Sequence, residues 1–204
     1  MAKRLFDLIS SLFVLVLISP IFLIITALVK LSSLGPVFYA PMIFGKDKRR
    51  FRVLKFRTMI KDADKLGGPS TAFEDRRLTK IGKFLRRYKL DELPQLINVI
   101  KGDMSVVGPR PQVDEYTSKY TGEEELILSV KPGMTDWATI ELITLDKILG
   151  NEDVDARYRT EIEPKKNALR IKYAKEHNFW IDMKILFLTF AKLFKIKRLW
   201  NTNN

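Results

Sequence analysis

The 204-residue sequence contains no cysteine, and its only histidine is His177. The first absence excludes disulfides, thiolate zinc sites, iron–sulfur ligation and a cysteine nucleophile, and the second leaves no imidazole set for a metal cage or a Ser-His-Asp relay. Reactive chemistry must then come from carboxylates, hydroxyls and cations. Acidic residues are also scarce, 24 against 36 Lys and Arg, for a net charge of +12. With 46% hydrophobic and 29% charged residues, disordered, collagen-like and low-complexity classes are excluded, and the length favours one domain with peripheral additions. The mean hydropathy of −0.08 is that of an ordinary soluble protein. That average conceals two strong segregations.

The first is apolar. Leu8 to Val29 carry no charge over 22 positions, bracketed by Lys3, Arg4 and Asp7 before and Lys30 after. About 20 apolar residues cover a ~30 Å hydrocarbon core, so the segment has membrane length and is longer than the apolar part of a secretory signal peptide. Ser19-Pro20 falls at its midpoint, where Pro20 removes a backbone donor and clashes with the carbonyl of Val16. Cations flank both sides, Lys3 and Arg4 ahead and Lys46, Lys48, Arg49, Arg50, Arg52, Lys55 and Arg57 behind, which places both ends on the cytoplasmic side. A re-entrant helix-break-helix satisfies both flanks, with arms of about 11 or 12 residues reaching about 17 Å. A spanning helix with a Pro kink remains the alternative.

The second segregation is charge. Lys46 to Lys89 hold 16 basic and 5 acidic residues, so nearly the whole net charge is regional. Nucleic acid, anionic lipid headgroups and nucleotide phosphates are all chemically suitable partners; the preceding apolar segment favours lipid, at about 1 kcal/mol per cation near an anionic leaflet. Within the block, Arg76 to Leu90 place Leu78, Ile81, Leu85 and Tyr88 on one helical stripe, suiting an interfacial helix or one packed on the core. Phe179 to Trp200 form a second amphipathic helix, with Lys184, Lys192, Lys195 and Arg198 in one arc. An in-plane membrane helix fits this pattern better than a spanning one, with a core helix as the alternative.

Short strands are expected at Val37 to Phe44, Phe51 to Phe56, Met104 to Val107 and Trp137 to Ile140, and charged helices at Asn151 to Asn178 with a break near Pro164. Asp91-Glu92, just ahead of Pro94 and the helical run QLINVIK, are expected at its N-cap and N1 or nearby. There an ionised Asp can attack phosphorus, and an adjacent Glu, pointing about 100° away, can help hold Mg²⁺. Gly108-Pro109-Arg110-Pro111 hold one guanidinium stiffly, and Lys55 and Arg57 end another strand where they can add to an anion site. His177 reads as a polar helix-boundary residue.

Taken together, Ser19-Pro20 in the apolar hairpin, GPVFYAP, KFRTM, LDELPQLINVIKGDMSVVGPRP and KPGMT resemble the bacterial sugar transferase family, the small monotopic phosphoglycosyl transferases that start glycan assembly on a polyprenol carrier. The likeness runs from about Lys3 to the last amphipathic helix. It implies a helix-rich α+β fold: a re-entrant membrane hairpin over residues 1–35, a small cytosolic α/β core over 36–178 with an interfacial helix near 76–90, and a membrane-surface helix over 179–204. It also implies a ping-pong reaction in which Asp91 takes a sugar phosphate from a UDP-sugar, releases UMP and passes the phosphosugar to polyprenyl phosphate. Glu92 is then the residue associated with Mg²⁺, Lys55, Arg86, Arg110 and, less closely matched, Arg57 face the phosphates, and Ser19-Pro20 break the membrane helix. The implied partners are the UDP-sugar, polyprenyl phosphate, an anionic bilayer at the cytoplasmic face of the bacterial plasma membrane and, for some assemblies, a second copy; nucleic acid is not among them. One segment departs from the family pattern. After KPGMT many members continue with Gly, an aromatic or aliphatic residue, then Ala-Gln, whereas this chain has Asp136-Trp137-Ala138-Thr139.

Overall fold

The computed structural model describes residues 2–66, 75–141 and 154–201. Helix α1 (Ala2–Leu17) and helix α2 (Ser19–Ser32) are bent by 66° across Ile18. Pro20 is the cause, because it offers no N–H to the carbonyl of Val16. The Ser19 hydroxyl donates to that carbonyl instead, at 2.8 Å. The dipeptide thus breaks the helix and satisfies the acceptor the break would orphan. Around the bend Leu12, Phe13, Val16, Leu17, Ile21 and Leu23 are all exposed.

The two far ends of this pair return to the same body. At the start of α1, Lys3 donates to Val107 O and pairs with Asp182 at 2.6 Å, while Arg4 donates to Val99 O and Ile100 O. The buried Asp7 accepts from Ser105 Oγ and Val106 N, both at 3.1 Å. At the end of α2, the buried Arg57 donates to Leu34 O (2.8 Å) and Ser33 O (2.7 Å).

Among the described residues six short strands follow in chain order: β1 (Phe38–Tyr39), β2 (Met42–Phe44), β3 (Arg50–Arg52), β4 (Lys55–Phe56), β5 (Ser105–Val107) and β6 (Gly133–Thr135). β1 pairs antiparallel with β4 and β2 with β3, so the two expected strands form one hairpin, each interrupted. Pro41 marks the interruption on one side, with its carbonyl accepting from Val53 N across it. β5 and β6 pair in parallel, Ser105 opposite Gly133 and Val107 opposite Thr135. Just past β5 the backbones are so close that a Cβ on Gly133 would sit 2.1 Å from Gly108 N.

The remaining α-helices among the described residues are α3 (Lys80–Arg87), α4 (Gln95–Lys101), α5 (Asp114–Thr117), α6 (Trp137–Glu141), α7 (Val154–Arg157), α8 (Glu163–Glu176) and α9 (Phe179–Asn201). Thr79 caps α3 by accepting from Gly82 N, and Gly102 ends α4 at φ 92°. The break near Pro164 is a π-helical turn, Tyr158–Ile162, with Pro164 in the first turn of α8. One expectation fails: Trp137 to Ile140 are helical, because the Asp136 carboxylate accepts from Thr139 N and Thr139 Oγ1 and starts α6. The strand lies just ahead, at Gly133–Thr135.

Packing divides both amphipathic helices. In α3, Leu85 is fully buried with Ile25, Val29 and Phe56, whereas Phe84 and the C-cap Tyr88 are exposed, their rings in tilted contact at 4.9 Å. In α9, Ile185 and Asp182 face the core with Val107, Ile140 and Tyr173, while Trp180, Phe187 and Phe190 are exposed. Of the cations in the expected arc, Lys192 is half-buried and donates to Ile140 O, while the exposed Lys184 lies over the Trp137 ring. The side chains of Lys195, Arg198 and Trp200 lie outside the described residues. The architecture is a helix-rich α+β fold with three two-stranded sheets among the described residues.

Candidate active site

Asp91 and Glu92 lie in a single 3-10 turn, Leu90–Glu92, entered through Lys89 in the left-handed region at φ 56°. They are expected at or near the N-cap and N1 of the next helix; α4 begins at Gln95, and both carboxylates lie in the turn just ahead of it. The turn is closed by Leu93 N on Leu90 O and runs on through Leu96 N on Leu93 O. Both acids are buried there.

Three of the expected cations converge on this pair. Lys55, on β4, places Nζ 3.6 Å from Glu92 Oε1, and Arg110 bonds the same oxygen from the Gly108–Pro111 loop after β5. Arg86, at the end of α3, is oriented by its Nε donating to Thr58 Oγ1 at 3.0 Å. Arg57 is not part of this group, since its guanidinium is spent on carbonyls at the end of α2. Ser19 and Pro20 stand at the helix bend. His177 caps the end of α8, as its sequence position suggests.

The neighbouring acids titrate in opposite directions. Burial would raise Glu92, but the charges of Arg110, Lys55 and Lys89 outweigh it and hold the carboxyl at about 2. Asp91 is pushed up, first by burial and then by the Glu92 charge, against the pull of Lys55, Arg86 and Arg110. Lys55 is lowered, mainly by burial, and Arg110 is held charged more firmly by Glu92. Asp91 Oδ1 is buried without a hydrogen-bond partner. A desolvated carboxylate oxygen with no protein donor, under three cations, is available to an electrophile that brings its own negative charge, such as a phosphate ester.

Magnesium binds through one or two carboxylates together with substrate phosphates. Among the described residues no group of three or more acidic or histidine side chains is arranged to hold a metal ion alone. The adjacent carboxylate pair, with Asp91 Oδ1 unpartnered, has the oxygen-donor chemistry that such a complex with substrate phosphate requires.

Two further residues carry the site and were not singled out for it from sequence. Thr58 steers Arg86, and Asp136 accepts from Arg110 N at 3.0 Å through Oδ2. Thr58 had no signal beyond its place in KFRTM; Asp136 had one, as the first residue of the segment that departs from the family pattern.

The described geometry is thus a buried carboxylate pair with three cations around it. A family model described as bacterial sugar transferase matches residues 1–196, and the chain belongs to that family. It is 38% identical over 202 residues to the uncharacterized sugar transferase EpsL of Bacillus subtilis (strain 168), a match covering 99% of this chain and 92% of that one. It is 40% identical over 201 residues to the UDP-glucose:undecaprenyl-phosphate glucose-1-phosphate transferase of Escherichia coli (strain K12), covering 94% of this chain and 40% of that protein. Against the exopolysaccharide production protein ExoY of Rhizobium meliloti (strain 1021), identity is 37% over 204 residues, with 93% and 84% covered. The chain thus spans about two fifths of the Escherichia coli relative and most of the other two.

Proposed function

We propose that the chain is a monotopic phosphoglycosyl transferase that moves a sugar phosphate from a UDP-sugar to polyprenyl phosphate at the cytoplasmic face of a bacterial plasma membrane. The observation that carries this reading is the buried Asp91 carboxylate, with Oδ1 unpartnered, beside a Glu92 already neutralised by Lys55 and Arg110. The names of relatives that act on undecaprenyl phosphate support it.

In the first half-reaction, the ionised Asp91 attacks the β-phosphorus of the UDP-sugar. A bond forms from a carboxylate oxygen to phosphorus, the bond from phosphorus to the bridging oxygen breaks, and UMP leaves with that electron pair. In the second, a phosphate oxygen of polyprenyl phosphate attacks the same phosphorus and releases Asp91 as its carboxylate, giving polyprenyl-diphosphate-sugar. Lys55, Arg86 and Arg110 offset the charge on the phosphoryl oxygens in both halves. Glu92 would hold Mg²⁺ together with substrate phosphate oxygens, and the ion when bound supplies further neutralisation of the diphosphate.

The hairpin is read as re-entrant. Its arms of 16 and 14 residues, about 24 and 21 Å long, meet at a 66° bend, and both ends are tied to one body through Lys3, Arg4 and Arg57. A continuous span would send those ends to opposite faces of the bilayer. The exposed Phe13, Leu17 and Ile21 at the bend are suited to acyl chains, which would bring the polyprenyl carrier alongside the site.

The test is UMP release from the full chain mixed with a panel of UDP-sugars, Mg²⁺ and undecaprenyl phosphate. Release with at least one sugar, lost on chelation, is expected; no release with any sugar overturns the reading.

A further inference from the structure

We propose that Asp136 is a positioning residue for Arg110, and that its buried ion pair with Arg170 fixes the loop that aims the Arg110 guanidinium at the donor diphosphate. This rests on the transferase reading for what Arg110 binds, but not for the tether itself. Pro109 and Pro111 have no backbone N–H, so Arg110 N is the one backbone donor the Pro-Arg-Pro tripeptide owns. It is given to Asp136 Oδ2 at 3.0 Å. The Arg110 side chain reaches Glu92, so the residue is held at its backbone by one acid and at its tip by another.

Asp136 is itself fully buried, and a buried carboxylate needs compensation. Oδ1 receives Thr139 N and Thr139 Oγ1, at 2.6 and 2.7 Å, which caps α6. Oδ2 faces Arg170 Nε at 3.8 Å, from α8. Arg170 is 1% exposed and is oriented by Nη1 donating to Asn167 Oδ1 at 3.0 Å. The two carboxylate oxygens thus have separate tasks: Oδ1 starts a helix, and Oδ2 joins α8 to the phosphate-facing loop.

The experiment separates these tasks. Serine at 136 can still cap α6 but is too short to reach Arg110 N, and methionine at 170 removes the charge left without a partner. In Asp136→Ser/Arg170→Met, the melting temperature should recover most of what Asp136→Ser alone loses. Amide exchange over residues 107–112, read by mass spectrometry, should nonetheless quicken by about tenfold, and KM for the UDP-sugar should rise by about tenfold with kcat changed less than about threefold. Arg170→Lys, which keeps the charge, should leave exchange in that segment near wild type. Wild-type exchange and wild-type KM in the double variant would overturn the proposal and leave Asp136 as a helix cap. If the wild type releases no UMP with any sugar, the transferase reading falls, and the exchange comparison alone decides whether Asp136 holds the loop.

Discussion

Glu92 Oε1 lies 3.6 Å from Lys55 Nζ and is also bonded by Arg110, whereas the carboxylate of its neighbour Asp91 leaves Oδ1 without a partner. Two adjacent acids in one turn thereby have different surroundings, one anchored among cations and one with an unpartnered oxygen, which the proposed mechanism makes the reactive one.

The anchored acid makes stability depend on pH in a definite direction. Its folded value of about 2 lies below the ordinary 4.5, so its contribution is present above the unfolded value and is lost as pH falls towards about 2. Glu92→Gln should therefore melt lower than wild type at pH 7, by an amount corresponding to about 1–3 kcal/mol. Between about pH 5 and pH 2 its melting temperature should fall less steeply than that of wild type. Thermal scans across that range check both statements.

The reactive acid predicts the opposite. Burial raises Asp91, so ionising it costs folding free energy; that cost is absent below its unfolded value of 3.8 and present once pH exceeds the raised folded value. Asp91→Asn should melt at or above the wild-type temperature at neutral pH while losing turnover. Calorimetry beside a UMP-release assay reads this exchange of stability for reactivity.

Arg57 and Arg110 should separate cleanly, although both were expected at the phosphates. Arg57 donates to carbonyls at the end of α2, so Arg57→Met should lower the melting temperature, by about 3 kcal/mol in stability, while KM for the UDP-sugar stays within about twofold. Arg110→Met should raise KM by about tenfold or more. Steady-state kinetics on the folded fraction distinguishes them.

Topology depends on Ser19 and Pro20. The chain has no native cysteine, so single cysteines at Ala2 and Lys46 give an unambiguous readout. Both should be shielded from an impermeant thiol reagent in intact cells. Ser19→Ala/Pro20→Ala, which permits a continuous helix, should expose Ala2 in part of the population. Labelling of Ala2 in the unmutated hairpin would favour a spanning helix.

Local rules made much of this readable in advance. The apolar run, its Pro break, the basic block and the Asp91-Glu92 pair all lie in contiguous sequence, where periodicity and charge act directly. What escaped depended on distant partners. The fate of Arg57 was set by carbonyls 23 and 24 residues away, and the orientation of Arg86 by Thr58, 28 residues away. The stretch at Trp137 has strand-like composition, yet one carboxylate at Asp136 turned it into a helix. In α9 the contacts of Lys192 with Ile140 and of the exposed Lys184 with Trp137 likewise depend on residues distant in the chain.

The central claim is that Asp91 carries the phosphosugar, and it is tested most directly by mixing the full chain with a UDP-sugar radiolabelled in the sugar, without polyprenyl phosphate, and counting label on the denatured protein. The account predicts label on the wild type that is chased by added polyprenyl phosphate, and none on Asp91→Asn. Equal labelling of the two, or undiminished turnover by Asp91→Asn, would contradict it.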